Sequence, residues 1–221
     1  MMQIFKYMGA IVALVLVGLL GYGGKGYWDA LSDAEGLRAR ANELIAQGRG
    51  GDSLGGNHRA ILLAVQDPNY LEHWGVDVST PGAGLTTITQ SAAKRLAFEA
   101  FHPGLGKIRQ TGYALGLESR LSKDQILALW LDTLEMGKGP DGWMVGFFTA
   151  SSKIYGRPPA ELSQAEFIRF VAVLIAPASY DLTRRDARLD ERVGRIERLV
   201  AGTCAPLGLR DVWLEGCQPS S

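Results

Sequence analysis

The stretch AVQDPNYLEHWGVD, residues 64–77, has the layout of an active-site motif, with an acidic position followed by an aromatic residue and His-x-Gly. A carboxylate in such a motif can accept a proton from an attacking hydroxyl group as a general base. The position before Asp67 holds Gln66, and an amide oxygen does not hold a proton near neutral pH. The chain therefore either catalyses a reaction by an unusual route or only binds a ligand here.

The chain beyond the N-terminus has the hydrophobic pattern of a mostly helical protein. Apolar residues recur at helical spacing in HRAILLAVQ, TITQSAAKRLAFEAF and KIRQTGYALGLESRL. Capping boxes at Ser122-x-x-Gln125 and Ser163-x-x-Glu166 open two further helices. One face of a last amphipathic helix carries Leu189, Val193, Ile196 and Val200. No stretch alternates convincingly with period two, so we predict a mainly α fold without a sheet of consequence.

The N-terminal segment is predicted to anchor the chain in a membrane. Residues 7–24, YMGAIVALVLVGLLGYGG, carry no charge. As a helix they span about 27 Å, just enough to cross a bilayer core of roughly 30 Å. A cleavable signal peptide is the alternative, but no small-x-small site follows the apolar run. Lys6 and the amino terminus favour a cytoplasmic N-terminus, which would place the rest of the chain outside the cytoplasm.

The chain is predicted to divide into a transmembrane anchor, a helical stalk with a joint, a main domain and a C-terminal tail, which cover residues 1–25, 26–57, 58–200 and 201–221. A capping box at Ser32-x-x-Glu35 is predicted to open the stalk helix, which runs to about Gln47. The glycine-rich stretch GRGGDSLGGN that follows is typical of a flexible joint.

Charge and cysteine content restrict the function and the compartment. Lys plus Arg equals Asp plus Glu, 23 each, which gives no support to nucleic-acid binding. Cys204 and Cys217 are the two cysteines of the chain. In an oxidising compartment they could form a disulfide, and the alternative is two unpaired thiols. The histidines, cysteines and carboxylates show no metal-ligand spacing, so neither a metal nor a cofactor is expected.

Five blocks of the main domain together resemble the family-51 glycosyltransferases, the peptidoglycan polymerases that occur alone or as the first domain of bifunctional penicillin-binding proteins. In chain order the blocks are QDPNYLEHWGVD, GLTTITQSAAKRL, GKIRQTGYALGLE, SKDQILALWLD and GFFTASSKIYGRPPAELSQAEFIRFVAVLIAPASYDL. The first three are similar to the family's E-D-x-x-F-x-x-H-x-G, G-x-S-T-I-T-Q-Q-x-x-K-N and R-K-x-x-E motifs. The resemblance covers about residues 58–200 and implies a lysozyme-like helical transglycosylase domain on an N-terminal membrane anchor.

The resemblance implies a reaction on a lipid-linked disaccharide. The C4 hydroxyl of one sugar attacks C1 of another and expels a polyprenyl pyrophosphate. The family's base is the Glu of the first block, and a second essential Glu lies in R-K-x-x-E. This chain has Gln66 and Gln110 at these positions, so neither residue can act as a base. Loss of general-base catalysis alone costs about 10²–10⁴-fold in rate, or roughly 3–5 kcal/mol.

Further departures from the family pattern affect the same site. Gly106 replaces the Arg of R-K-x-x-E and leaves Lys107 as a point charge. Residues 78–83, VSTPGA, stand where the family has a longer, flexible, membrane-facing jaw. Asp67 is the candidate for a relocated base, although on a helix its side chain would point about 100° away from that of Gln66.

Seven residues are candidates for contact with substrate or pyrophosphate, because they match motif positions of the family: His73, Thr87, Gln90, Lys94, Lys107, Lys153 and Arg157. Some of them have a plainer interpretation. His73 can be a hydrogen-bonded structural histidine, Thr87 can be a helix cap, and Lys94 can be a solvated charge.

Together these features favour a bacterial, single-pass protein of the cytoplasmic membrane whose main domain lies on the periplasmic or extracytoplasmic side. The resemblance implies that it engages lipid II, the lipid-linked peptidoglycan precursor, or nascent glycan, and works beside other cell-wall synthesis proteins. Its polymerase activity is expected to be lost or weak. The alternatives are an active peptidoglycan glycosyltransferase that uses Asp67, and a structural protein-interaction module.

Overall fold

In the computed structural model, which describes residues 2–219 and the side chains from residue 7 onward, the described chain is mainly α-helical, as predicted. The helices are α1 (Met2–Ala46), α2 (Gly56–Gln66), α3 (Ile88–Ala97), α4 (Leu105–Arg120), α5 (Lys123–Thr133), α6 (Phe147–Tyr155), α7 (Gln164–Ala172) and α8 (Ala187–Val200). Short 3₁₀ turns cover Gly51–Leu54, Pro159–Glu161, Val173–Ile175 and Glu215–Cys217. Helix α5 lies at the centre, since every residue of 126–131 is buried.

The two predicted capping boxes of the main domain begin helices α5 and α7. The Ser122 hydroxyl accepts a hydrogen bond from the backbone N–H of Gln125. The side-chain oxygen of Gln125 accepts one from the backbone N–H of Ser122. Ser163 and Glu166 make the same reciprocal pair. Each box satisfies two backbone donors that the first turn of a helix leaves free.

A short antiparallel hairpin, β1 (Glu135–Gly139) and β2 (Gly142–Val145), joins α5 to α6. The sequence patterns do not reveal it, because its strands are four and five residues long and rich in glycine. Such short strands give too few positions for an alternating pattern to be recognised.

Helix α1 is continuous through the predicted anchor and stalk, so the prediction of a separate helix beginning at Ser32 is wrong. The Ser32 hydroxyl donates a hydrogen bond to the carbonyl oxygen of Trp28, four residues earlier, as inside a helix. Glycines close to the end of the apolar run do not end the helix. They lie where α1 packs directly against α4.

Glycines allow the backbones of α1 and α4 to approach closely. A Cβ atom on Gly112 would overlap the carbonyl oxygen of Gly23, and one on Gly116 would lie 2.6 Å from the Cβ of Ala30. A Cβ on Gly26 would overlap the carbonyl oxygen of Arg109. The apolar N-terminal helix therefore continues into the domain as a packed element and not as a free stalk.

We expect Gly112→Ala to destabilise the protein by about 1–3 kcal/mol, because the added methyl group forces two helix backbones apart. Thermal unfolding of the detergent-solubilised full chain would measure this as a lower Tm. Gly36→Ala is the matched control, since nothing lies within 4 Å of a Cβ at that helical position. The control should be neutral or slightly stabilising. An equal response of the two variants would contradict the close packing of α1 on α4.

The glycine-rich stretch after α1 is packed, which corrects the prediction of a flexible joint. Gly51 and Leu54 are buried. A Cβ on Gly51 would lie 2.5 Å from the Leu127 side chain in the centre of the domain. Glycine is required there by close packing of the backbone and not by flexibility.

Helix α1 also contains a candidate membrane span. It is the one described helix that is long and apolar enough, with an 18-residue window of mean hydropathy 1.8 that is not buried by the rest of the chain. Large apolar side chains are exposed along it, including Leu14 at 72% and Leu20 at 75%. An apolar surface of this kind is stable in a bilayer and costly in water.

The C-terminal tail folds back on the short segment that follows the first motif. The amide nitrogens of Gly82 and Gly84 donate hydrogen bonds of 2.9 and 2.8 Å to the carbonyl oxygens of Gly208 and Leu209. A disulfide joins Cys204 to Cys217 and closes this tail into a loop.

We expect Cys204→Ser to lower the stability by about 3 kcal/mol, because the unfolded chain regains the entropy that closure of the loop removes. Thermal unfolding with and without a thiol reductant measures the effect. Reductant should lower the Tm of the wild type to that of the variant and leave the variant unchanged. A variant with the wild-type Tm would show that the disulfide adds no stability.

Candidate functional site

The first motif loop is held by a buried pair, Asp67 and His73. Both carboxylate oxygens of Asp67 lie 3.0 Å from His73 Nε2, and one also accepts a hydrogen bond from the Ile88 amide nitrogen at the start of α3. His73 Nδ1 accepts a hydrogen bond from the Gly75 amide nitrogen. We therefore assign the ring proton to Nε2, which donates it to Asp67.

These contacts change the roles predicted for both residues. The Asp67 side chain is 1% exposed and already accepts hydrogen bonds from a ring and a helix terminus. It cannot reach a substrate hydroxyl without breaking them. His73 uses both ring nitrogens inside the loop, which supports the structural interpretation over contact with pyrophosphate.

A second buried group, Glu118 with Lys123, fastens the same loop to the helices. Lys123 Nζ donates to Glu118 Oε1 at 2.8 Å and to the carbonyl oxygen of His73 at 2.6 Å. Thr89 on α3 donates its hydroxyl to the same Glu118 oxygen. The pair ties α3, α4, α5 and the motif loop together, a role that the sequence pattern does not reveal.

The start of α3 connects this loop to α4. The Thr87 hydroxyl caps the helix by accepting a hydrogen bond from the backbone N–H of Gln90, and it donates one to the carbonyl oxygen of Gly75. The Gln90 side chain accepts from Lys107 Nζ and donates to Thr111. Thr87 and Gln90 are 4% and 3% exposed, so they hold the start of α3 from within and do not form an open surface.

Lys107 is a cation that contacts the start of α3. Its Nζ donates to Thr86 Oγ1 at 2.9 Å and to Gln90 Oε1 at 3.1 Å. Burial lowers the pKa of Lys107, and the charge of nearby Lys94 lowers it further. Lys94 Nζ lies 5.3 Å from the centre of the Phe101 ring. Since the two like charges influence each other, they attract an anion together more strongly than either does alone.

Gln110 is sealed inside the protein. It is 1% exposed, and its Nε2 donates a 2.6 Å hydrogen bond to the carbonyl oxygen of Gln90. Its Oε1 is buried and has no hydrogen-bond partner within residues 2–219. The amide group suits this position because a nitrogen donor faces a carbonyl oxygen.

Gln66 lies at the end of α2 beside a cavity of about 230 Å³. The polar side chains lining it are those of Gln66, Thr86 and Arg192, and the remainder of the wall is backbone and apolar groups. Among the described residues no aspartate or glutamate lines this cavity. Lys94 lies on a different cavity, of about 530 Å³, so Gln66, Lys94 and Gln110 do not share one cavity.

Lys153 and Arg157 lie on other parts of the fold. Lys153 Nζ is 3.6 Å from a carboxylate oxygen of Asp141 in the hairpin turn. Arg157 Nη2 donates to both oxygens of Glu166, at 2.7 Å each, at the start of α7. Each cation therefore has an acidic partner within the protein, and Arg157 joins the end of α6 to α7.

Arg192 on α8 is a site residue that the sequence interpretation missed. Arg192 is 4% exposed, although it is not one of the four apolar residues that were predicted to form one face of this helix. The available signal is spacing. Arg192 lies three residues after Leu189 and four before Ile196, both fully buried, and therefore on the buried face.

Comparison with known proteins identifies the domain. A family model described as Transglycosylase matches residues 51–200, about two thirds of the chain. The chain belongs to the transglycosylase family. The match begins seven residues before the predicted main domain, at the packed glycine-rich stretch.

Relatives of the transglycosylase domain carry names that agree with the five motif blocks. The chain is 29% identical over 168 residues to a biosynthetic peptidoglycan transglycosylase of Thiobacillus denitrificans, covering 70% of this chain and 71% of the relative. It is 30% identical over 149 residues to the protein of that name from a Marinomonas species, covering 62% and 64%. It is 28% identical over 152 residues to penicillin-binding protein 1B of Escherichia coli, covering 63% of this chain and 18% of the relative.

Proposed function

We propose that this protein is a membrane-anchored domain of the peptidoglycan glycosyltransferase type that binds lipid II or nascent glycan with lost or weak polymerase activity. One observation carries the proposal. The cavity beside Gln66 is lined by no carboxylate among the described residues, and the neighbouring Asp67 is engaged in the protein interior. The site has lost its proton acceptor and kept groups that bind.

The chemistry follows from what each group can do with a proton. Glycosyl transfer to a sugar hydroxyl requires a base that removes the hydroxyl proton. Gln66 offers an amide oxygen as acceptor and an NH₂ group as donor, and neither takes up a proton near neutral pH. Thr86, on the same cavity, also keeps one acceptor and one donor. These groups can hold a sugar hydroxyl or a phosphate oxygen without activating it.

The cations beside the site fit a diphosphate group. Lys107 and Lys94 present two positive charges on adjoining helices, and Lys107 is tied to Thr86 on the wall of the Gln66 cavity. Such charges stabilise bound phosphate oxygens most where burial limits screening by solvent. We assign the contact with the lipid-linked diphosphate to Lys107, with Lys94 contributing from the edge.

The candidate anchor and the disulfide together support a position outside the cytoplasm. With the N-terminus in the cytoplasm, helix α1 leads the domain to the outer face of the cytoplasmic membrane. The Cys204–Cys217 disulfide supports this orientation, because disulfides persist in oxidising compartments. Precursors attached to lipid would meet the domain at that face.

Binding of lipid II without turnover is the expected behaviour. Equilibrium binding of lipid II to the detergent-solubilised full chain measures the affinity. Lys107→Met should weaken binding roughly 10- to 100-fold, the value of a charge-assisted contact. Arg185→Gln removes a positive charge from an exposed position and should leave the affinity unchanged. Absence of saturable binding to the wild type would reject the proposal and favour a structural interaction module.

A further inference from the structure

Arg192 is buried in an unusual state for an arginine. It lies on the inward face of α8 at 4% exposure. Its Nε and Nη1 atoms are buried, and neither has a hydrogen-bond partner within residues 2–219. A buried arginine normally has a carboxylate or carbonyl partner, since desolvation of the charge is costly. The side chain is therefore equipped to bind a group that the protein itself does not supply.

Asp211, the carboxylate whose charge favours the charged form of Arg192, does not fill that role. It accepts hydrogen bonds from the amide nitrogens of Leu207, Glu215 and Gly216 and so closes its own turn in the C-terminal tail. Burial lowers the pKa of Arg192 to about 10, so the guanidinium still carries its charge at neutral pH.

The cavity that Arg192 lines presents further hydrogen-bond donors. Gln66 contributes an amide group, and Thr86 contributes a hydroxyl. The Thr86 oxygen accepts a hydrogen bond from Lys107, which leaves the hydroxyl hydrogen available for a ligand. Within the described part of the chain, no acidic side chain faces this cavity. Donors without acids are the composition expected of an oxyanion site.

We propose that Arg192, with Gln66 and Thr86, forms an oxyanion-binding site that takes a phosphate or carboxylate group. The cavity of about 230 Å³ equals the volume of about seven or eight waters, which is enough room for such a group. The site deepens the proposed function by naming a ligand class for the Gln66 cavity. It rests on the proposed function only in that both use the Gln66 cavity. Binding of free anions can be measured without lipid II, so the site can be tested separately.

The residue type at position 66 also determines whether Arg192 is free to bind an external anion. A glutamate at residue 66 would place a carboxylate on the cavity that Arg192 lines, where it would supply the missing counter-ion and exclude an external anion. The glutamine leaves this place open. The exchange of an acid for an amide thus converts a position suited to a base into one wall of an anion site.

Thermal unfolding of the detergent-solubilised full chain in inorganic pyrophosphate, phosphate or D-lactate, at constant ionic strength, tests the site. At least one anion should give a saturable rise in Tm. A preference for pyrophosphate or phosphate assigns the site to a phosphate group, and a preference for lactate assigns it to a carboxylate. Arg192→Met should weaken the anion affinity about 10- to 100-fold.

Two variants make the outcome decisive. Arg192→Met removes an unpaired buried charge, so without anion its Tm should equal or exceed that of the wild type. Gln66→Glu should also raise the Tm and abolish the anion response. The exposed control Arg185→Met should respond as the wild type does. An anion response that persists in both site variants, or no response to millimolar anion in the wild type, overturns the inference. If the wild type still binds lipid II after either of these results, the anion site is rejected and the proposed function is not.

Discussion

Gln66→Glu is expected to raise the rate of lipid II polymerisation, by up to about 10²–10⁴-fold over the wild type. The substitution puts a carboxylate at the end of α2, beside the cavity that Thr86 and Arg192 line. The guanidinium of Arg192 should keep this carboxylate ionised, as a base must be, but the same ion pair lowers its pKa, so the gain should fall short of the upper figure. The short 78–83 segment should limit the gain, because the family resemblance places a longer, substrate-enclosing jaw at this point of the chain.

Gln66→Met is the matched control, since it keeps the length of the side chain and cannot accept a proton. It should show no gain. Glycan length and yield, measured on the detergent-solubilised full chain, distinguish the two variants. Equal and undetectable activity in both would mean that the site lost more than its base.

Gln110→Glu should not raise the rate of lipid II polymerisation, although this position also holds a glutamate in the family motif. The Gln110 amide donates to the carbonyl oxygen of Gln90, and a carboxylate there would face that oxygen in a sealed interior. Burial would raise the pKa of the new carboxyl group. The variant should therefore lose little stability below the ordinary pKa of glutamate and progressively more as the pH rises above it. Adding Gln110→Glu to Gln66→Glu should lower the yield of folded protein at neutral pH.

Glu118→Gln is expected to cause the largest loss of stability, about 3–5 kcal/mol, because it leaves the ammonium group of Lys123 without its carboxylate partner. The Glu118 side chain is 5% exposed and joins three helices to the motif loop. For a chain of this length, this loss corresponds to a fall in Tm of about 6–20 °C. Thermal unfolding at neutral pH measures it.

Two companion variants show whether the buried charge is the cause. Lys123→Met combined with Glu118→Gln removes both charges and should recover part of the stability. Asp181→Asn breaks the ion pair with the largely exposed Arg184 and should cost less than about 1 kcal/mol through that pair. A small loss in Glu118→Gln, similar to that in Asp181→Asn, would show that the buried pair does not hold the loop.

Local sequence patterns were sufficient to predict most of the helices. Helices α5 and α7 begin at capping boxes, and such boxes depend on residues three positions apart. The continuity of α1 through Ser32 could not be predicted this way. It depends on packing against Gly112 and Gly116, which lie about eighty residues away in the chain. Tertiary contacts of this kind override local signals.

For the candidate site, the sequence supplied motif residues but neither their burial nor their orientation. The motif blocks identified Gln66, Lys107 and Gln110 as residues of interest, but they could not show that Gln110 is sealed inside the protein. Nor could they show that Asp67 binds His73 and the start of α3. Burial and orientation depend on several elements that meet in space, whereas a motif describes one segment.

Polymerisation of lipid II by the purified wild-type full chain is the most direct test of the central claim, that the site binds without activating. A relative with glutamate at the position of Gln66 serves as the positive control. We predict bound lipid II and few or no glycan strands. Strands formed at the rate of the positive control, with activity lost in Gln66→Ala, would contradict the claim.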